Sequence, residues 1–467
     1  MRYWPMADAE DSLDAESQTL RWAWWLGIGL LLACLANGSV SYLKRVGVID
    51  PAVHTNYLAA HCELPRGSPD SLDNRCACMS KADPVQFAAL GSPRPGYVYQ
   101  SVGSEAWIKL AKDALFALVV LLSIQRLRRG ASRPPSLREG WPIVLLLSVV
   151  GLAFAFSALA WSGKIALLGL RPFEFLAIAL LGGWLAGGLG LIARGLGWLL
   201  ILQLGLVAIE LAIGVPLTSC PHTFRVAGTL VLPNTLGMAC VVAFAFHTAF
   251  APPSRIRFAI LLLVVALLVF ASGSGTGMVA LLVLVGVIVL RRLGGSRRRL
   301  AGVLLVPLMG ALLIFMPVLT KRPDIYDSLF AQGGRVDTFG KLWNVTDREQ
   351  VFLGRGLGIG TNTVTNAAGV ADLPMPDVLK RAAPFYADST ITSIFAQMGL
   401  AGLAAFYLML LWACIRDPVA RPTYLMIFLA SLTFNITEVF PINFLLGLLL
   451  THSVRRGLPA DPRHQAS

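Results

Sequence analysis

Long apolar runs alternate with short polar connections along most of this chain. The runs fall at about 24–43, 107–124, 141–161, 168–193, 195–215, 230–250, 257–271, 275–290, 300–318, 391–414, 422–439 and 441–453. About 20 apolar residues span a bilayer as a helix. In hydrocarbon such a segment must satisfy its own backbone N–H and C=O groups, so each run predicts a helix. The runs at 257–271, 275–290 and 441–453 are short for that task. The pattern predicts an all-α polytopic membrane protein of about 12 transmembrane helices. Two large loops, about 44–106 and 319–391, interrupt it, the second between helices 9 and 10.

Composition supports the same class. Hydrophobic residues make up 56% of the 467 and charged residues 14%, too few to cover a water-soluble globule of this size. The arginines recur in alternate connections: Arg126 to Arg138, Arg255 and Arg257, Arg291 to Arg299, Arg416 and Arg421, then Arg455, Arg456 and Arg463. By the positive-inside rule that side is cytoplasmic, which puts both termini in the cytoplasm and both large loops outside. The net charge of +13 is thereby a topology signal, and no nucleic-acid-binding module is present. The reading divides the chain into a cytoplasmic tail 1–23, a transmembrane domain 24–453 and a cytoplasmic tail 454–467. The acidic N-terminal segment precedes a long first span without a small-residue cleavage site, as in a retained signal anchor.

Cys62, Cys76, Cys78 and Cys220 fall on the non-cytoplasmic side, where disulfides are permitted. Cys62 with Cys76 or Cys78 is the easiest pairing. The alternative, a metal site built from Cys76, Cys78 and His54 or His61, lacks the spacing of a zinc signature. Loop 44–106 is rich in Pro, Gly, Ser and Asp and reads as an irregular cap. Within the second loop, Asp324 to Val345 carries apolar residues at mixed helical spacing, as an amphipathic helix lying on a membrane does.

Ionisable residues inside a bilayer are costly, so each needs a reason. Arg171 and Glu174 are close enough to pair, as a structural salt bridge or as part of a substrate site. Glu210 lies near a helix end, where it can snorkel to the interface. Glu438, in Asn435-Ile436-Thr437-Glu438 before the Pro441 break, sits where it can face the 319–391 loop. Arg225, Arg335 and Arg355 lie at headgroup depth, where a guanidinium fork binds phosphate oxygens of a substrate or of ordinary lipid. The run Gly354-Arg355-Gly356-Leu357-Gly358-Ile359-Gly360 mimics a dinucleotide fingerprint, but no strand precedes it. A backbone nest for a phosphate, or a tight turn under a lipid, is the reading left.

Several of these segments occur together in one family. The chain resembles the bacterial O-antigen polymerase and O-antigen ligase superfamily, which includes exopolysaccharide repeat-unit polymerases. The resemblance rests on Arg225-Val226-Ala227-Gly228-Thr229 with Pro233-Asn234, on Ser272 to Gly277, and on Gly334-Arg335 with Trp343. It continues through Leu353 to Gly358, Asp388-Ser389-Thr390 leading to Gln397-Met398-Gly399-Leu400, and Thr437-Glu438. Together these cover roughly residues 165–450. The resemblance implies a metal-independent membrane glycosyltransferase of the all-helical type (GT-C-like), without cofactor, in the bacterial inner membrane. It implies a glycan donor linked to undecaprenyl pyrophosphate, surrounding membrane lipids, and a chain-length regulator as a protein partner.

Mapped onto this chain, the resemblance makes Arg225 and Arg335 the main pyrophosphate ligands, with Arg355 and Arg171 secondary. Asp388 is the catalytic residue that handles the acceptor hydroxyl, and Glu438 is its alternative. Ligases resemble one another in a histidine near the end of the large loop. Loop 319–391 has none and reads Tyr386-Ala387-Asp388-Ser389 there. Many relatives also carry an arginine where this chain has Gly275. The expectation is a periplasmic-face polymerase that extends one lipid-linked repeat unit with another. Transfer to lipid A core or to protein is a second reading. A flippase or transporter is a third, against which stand the absence of repeat halves and the size of the one-sided loop.

Overall fold

The structure, a computed structural model, describes residues 7–45, 110–128, 139–213, 226–230, 233–292, 310–311, 314–319, 326, 335–344, 346–361, 364 and 389–456. Among them every regular element is helical. In chain order these are α1 (Ala7–Arg45), α2 (Ala111–Arg128), α3 (Trp141–Ala160) and α4 (Gly163–Leu170). A 3-10 turn (Arg171–Phe173) leads into α5 (Phe175–Leu181), and a second one (Gly182–Gly188) into α6 (Leu189–Ile213). Then follow α7 (Pro233–Phe250), α8 (Arg255–Ser272), α9 (Gly275–Arg292), α10 (Arg335–Asn344) and α11 (Arg348–Leu353). The described chain closes with α12 (Thr390–Arg416), α13 (Arg421–Thr433) and α14 (Ile442–Arg455).

Five stretches are long and apolar enough to cross a membrane: Ser17–Ala36, Trp141–Ala160, Phe175–Ala212, Arg255–Ser272 and Thr390–Arg416. Asn234–Phe250, Gly275–Arg291 and Ile442–Arg455 are shorter apolar helices. Leucine, isoleucine and tryptophan project outward from them: Trp24, Leu152, Trp198, Leu263 and Ile415 are all exposed. A lipid-facing surface has that character; a water-facing one of this extent would aggregate.

Contacts sort the helix ends into two groups. At one end the Arg126 guanidinium lies 4.6 Å over the Trp184 ring and donates to Thr19 Oγ1 at 2.7 Å. There too Arg291 donates to the Pro418 carbonyl at 2.9 Å and Arg416 to the Ser453 carbonyl at 3.0 Å. Buried Asp417 accepts from His452 at 2.5 Å and lies 3.6 Å from Arg456. Burial pushes the Asp417 carboxyl up. The His452 contact, the Ala420 N–H and Arg456 outweigh it and hold the carboxyl below its usual 3.8. At the opposite end lie the 171–174 turn, the 226–230 segment, the glycine run and the 434–441 turn. The described arginines of the alternate connections thus gather at one end.

Three expectations change. The first helix begins at Ala7, so the acidic segment continues into it as helix. The chain turns at Gly182–Gly188 and not near 194. Arg194 lies within the continuous helix α6, while the turn holds four glycines and brings Gly188 so close to α1 that a Cβ there would lie 2.2 Å from that of Ala23. Finally, of the helix expected over Asp324 to Val345 the described part is α10, and it packs on the bundle: the Trp343 ring stacks on Phe395 of α12 at 5.5 Å, the Phe339 ring lies tilted against it at 5.3 Å, and Leu342 is buried. Residues 46–106 of the first large loop, with Cys62, Cys76 and Cys78, as well as Cys220 and residues 457–467, lie outside the described residues.

Candidate functional site

The most polar assembly within the apolar bundle forms where α2 begins and the α4–α5 segment breaks. Pro172 lacks an N–H and favours the break, which is completed as the 3-10 turn Arg171–Phe173. From this turn Arg171 grips Asp113 of α2 with two N–H groups, Nε to Oδ1 at 3.1 Å and a terminal nitrogen to Oδ2. The expected partner was Glu174. Asp113 wins because a carboxylate facing the planar fork accepts both bonds at once. Lys112, Arg171, Glu174, Thr437, Glu438 and Asn443 line one small recess with Phe116 and Pro172. Two cations and three carboxylates, counting Asp113, therefore meet at one helix end.

Glu438 is fixed from below by its own turn. Asn435 donates to Glu438 Oε2 at 3.1 Å, Thr437 donates to Asn435 Oδ1 at 2.8 Å, and Asn443 donates to the Thr437 carbonyl at 3.3 Å. The start of α12 pins the same turn. Thr390 Oγ1 donates to the Phe434 carbonyl at 2.8 Å and accepts from the Ile436 N–H at 3.0 Å. Thr390 stands two residues after Asp388, which itself lies outside the described residues. Ser389 caps α12, accepting from the Thr392 N–H at 3.2 Å.

The glycine run is a buried wedge between α3, α4 and α12. Gly354, Gly356, Gly358 and Gly360 all have positive φ, from 74° to 100°, which explains the alternation of glycine with side chains. Its N–H groups are already committed. Arg355 and Gly356 donate to the Ala396 and Gln397 carbonyls at 3.0 Å, Leu357 to Ala153 at 3.4 Å, and Gly358 to Gln397 Oε1 at 3.1 Å. Its carbonyls are held as well, by Trp161 Nε1 at 2.7 Å from Arg355 and Ser157 Oγ at 2.7 Å from Leu357. These four amides cannot also cradle a phosphate, and they make this part of the run a tight, buried turn. Arg355 is buried. Gly169, two residues before Arg171, touches the run: a Cβ there would lie 2.3 Å from the Gly358 nitrogen.

A second polar assembly holds the segment that follows Arg225. Glu210 is fully buried and does not snorkel. Its Oε2 accepts from the N–H groups of Ala227 at 3.3 Å and Gly228 at 3.0 Å. Gln203, seven residues earlier on the same face of α6, accepts from the Thr229 N–H at 3.2 Å and donates to Thr229 Oγ1 at 2.6 Å. The Val226 N–H reaches the Ala271 carbonyl at 3.3 Å. Two helices thereby take up four consecutive amides of a non-helical stretch buried in protein, the condition for irregular backbone at membrane depth.

Of the residues singled out in the sequence, Arg171 and Glu438 share the recess, and Arg355 sits nearby in the glycine run. Arg225 and Asp388 lie outside the described residues. Arg335 opens α10, and of its side chain nothing is described. The sequence reading passed over Lys112, Asp113 and Gln203. A lysine and an aspartate at the head of an apolar run were the available signal for the first two. No group of three or more His, Cys, Asp or Glu that could hold a metal occurs among the described residues.

Residues 258–407 match the family model described as O-antigen ligase. The matched stretch is about a third of the chain. It takes in α8 to α11 and the first two-thirds of α12, and with them the Ser272–Gly277 segment, Arg335, the glycine run and Asp388. The Arg225 segment and Glu438 lie on either side of it. No curated protein matches the chain.

Proposed function

We propose that this protein is a periplasmic-face polymerase that passes a polyprenyl-diphosphate-linked glycan to a sugar hydroxyl of a second lipid-linked repeat unit. The family of the 258–407 domain supports glycan transfer of the polymerase or ligase kind. The observation that carries the reading is the convergence, at the end away from the arginines, of the Glu438 recess, the Arg225-side segment, the glycine run and the start of α12 after Asp388. The described helices run alternately between the two ends, in keeping with twelve spans and with an arginine end in the cytoplasm.

The chemistry then divides by charge. A diphosphate leaving group needs cations, and Arg171 is already paired with Asp113. Arg225 and Arg335 therefore supply the main clamp, with Arg355 behind them. In the reaction the acceptor oxygen attacks the anomeric carbon and the bond from that carbon to the diphosphate oxygen breaks. Asp388 takes the hydroxyl proton, and polyprenyl diphosphate leaves with the electron pair. Glu438, held by the bond from Asn435, is placed to orient the acceptor hydroxyl.

The family description favours a second reading, transfer of the finished glycan to lipid A core or protein. The absence of a histidine from loop 319–391 favours the polymerase. Purified protein in detergent, given one lipid-diphosphate-linked repeat unit as its sole substrate and no added metal, separates them. A ladder of products supports the polymerase. Reaction only after addition of a lipid A core or pilin acceptor makes it a ligase, and no reaction with any acceptor overturns both.

A further inference from the structure

At the arginine end, α12 stops at Arg416 and leaves its last carbonyls without partners inside the helix. The Ala413 carbonyl takes the Asp417 N–H at 3.0 Å. The next two are taken by Arg421 at the start of α13: Nε donates to the Cys414 carbonyl at 2.9 Å and a terminal nitrogen to that of Ile415 at 3.1 Å. Arg291, in the last turn of α9, donates to the Pro418 carbonyl at 2.9 Å. Both guanidinium groups are thereby held in place by backbone and not by carboxylates. They lie close enough to repel one another across the half-buried Cys414 thiol. Among the described residues no carboxylate pairs with either. Asp417 is fully buried and commits its oxygens to His452, Ser453, Arg456 and the N–H groups of Val419 and Ala420. The sequence after Arg291 brings no acidic residue before Asp324. The end of α12 contributes about half a negative charge against two full positive ones.

We propose that Arg291 and Arg421 form a binding site for the phosphate of an anionic phospholipid in the leaflet at the arginine end, with its acyl chains along Leu411 and Ile415. The site is separate from glycan transfer and uses no residue of the recess, the glycine run or the Arg225 segment. Both arginines are exposed. Arg421 has committed two of its N–H donors and Arg291 one, so most of both forks stays available to phosphate oxygens. A phosphate between them replaces like-charge repulsion by attraction. Little side-chain freedom is left to lose, because the carbonyls already hold both groups. Leu411 and Ile415, four residues apart on the face of α12 that carries Cys414, are 57% and 64% exposed. Side chains that suit hydrocarbon thus stand next to charges that suit a headgroup. A zwitterionic lipid brings its own cation to the same place, which selects for net negative charge.

The test is native mass spectrometry of the purified full-length protein in an uncharged detergent, titrated with dioleoylphosphatidylglycerol, dioleoylphosphatidylcholine or inorganic phosphate. Arg291→Gln and Arg421→Gln together remove both charges while leaving an N–H donor for each carbonyl. Arg255→Gln with Arg257→Gln is the control, since these two arginines are also exposed at that end. Each arginine beside an anionic lipid surface is worth about fivefold in affinity, so the R291Q/R421Q pair should lose roughly thirtyfold for phosphatidylglycerol. We expect that loss, an unchanged affinity in the control pair, and weaker binding of phosphatidylcholine to the wild type. Should the double variant fail to fold, R291Q alone carries the test with a loss of about fivefold, because its one bond lies at an exposed position. Unchanged affinity in R291Q/R421Q, an equal loss in the control pair, or equal binding of phosphatidylcholine overturns the proposal. Displacement of phosphatidylglycerol by an equal concentration of inorganic phosphate also overturns it and assigns the pair to a soluble anion. The readout is lipid binding and not transfer, so the result stands whether or not the protein proves to be a polymerase.

Discussion

Replacing Glu210 by alanine tests whether the segment after Arg225 must be held for transfer to occur. The change removes the acceptor for two buried N–H groups, those of Ala227 and Gly228, at 3.3 and 3.0 Å. Leaving a buried donor unsatisfied costs about 1–3 kcal/mol. The longer contact belongs at the lower end of that range, so the pair amounts to roughly 3 kcal/mol. Gln203 still holds Thr229 and Ala271 still holds Val226, so the loss is local to the turn. At about 1.4 kcal/mol per factor of ten, a segment that must be ordered for the diphosphate to bind loses roughly a hundredfold in kcat/KM. Glu210→Gln keeps one carbonyl-type acceptor, and its loss is about tenfold. The assay is the initial rate of glycan transfer in detergent, with kcat and KM taken separately for the lipid-diphosphate donor, alongside thermal unfolding. A rise in donor KM without change in acceptor KM marks a positioning role. If E210A keeps wild-type kcat/KM and unfolding temperature, the clamp does not serve the site.

Other outcomes follow from the same contacts. Arg171 and Asp113 form a bidentate, partly buried pair, so a double-mutant cycle on R171A and D113A should give a coupling of about 1–2 kcal/mol in thermal or denaturant unfolding. Gly354→Ala puts a Cβ 2.3 Å from the Met398 nitrogen at φ +74°. It should cost more than about 2 kcal/mol and appear as loss of folded protein on size-exclusion chromatography. Because the Asp417 carboxyl is held below its usual 3.8, its contribution is present in full above that pH and lost as pH falls through the lower folded value. The unfolding-temperature gap between wild type and Asp417→Asn should therefore hold from pH 7 to about 4 and close below. Arg225→Ala should abolish transfer while Arg225→Lys keeps a small residual, since a lysine retains the charge and loses the fork.

What could be read from the sequence tracks where each feature's physical cause lies. Apolar runs are local, and hydrocarbon leaves the backbone no alternative to helix, so the helices at 141–160, 255–272 and 390–416 were legible. The turn at 182–188 was not, because the hydropathy hardly changes across Gly182-Gly183-Trp184-Leu185-Ala186-Gly187-Gly188, whereas Arg194 looks like an interruption. In the structure Arg194 simply rides along α6. The Glu438 recess was half legible. Arg171 and Glu438 drew notice as ionisable groups within apolar runs, but their company depends on α2 and α14 meeting across more than 300 residues of sequence. The choice of Asp113 over Glu174 as the partner of Arg171 has the same kind of cause: a contact three residues away is easy to infer, and one across 58 residues is not.

The glycine run shows why the proposed function assigns anion recognition to side chains. A run of alternating glycines offers free amides only if nothing else accepts from them. Here α12 and α3 do accept, and with good reason: Gly356 and Leu357 sit against Ser157 and Ala153, where an unpaired amide would be buried. The same glycines that would let backbone approach a phosphate instead let backbone approach backbone, joining the loop to α3, α4 and the kinked α12 at Gly399. These contacts fix the run itself against the bundle. Under the proposed function a diphosphate is then held by guanidinium groups carried on that frame, so substitutions at the arginines are expected to weaken binding, while those at the glycines act first on folding.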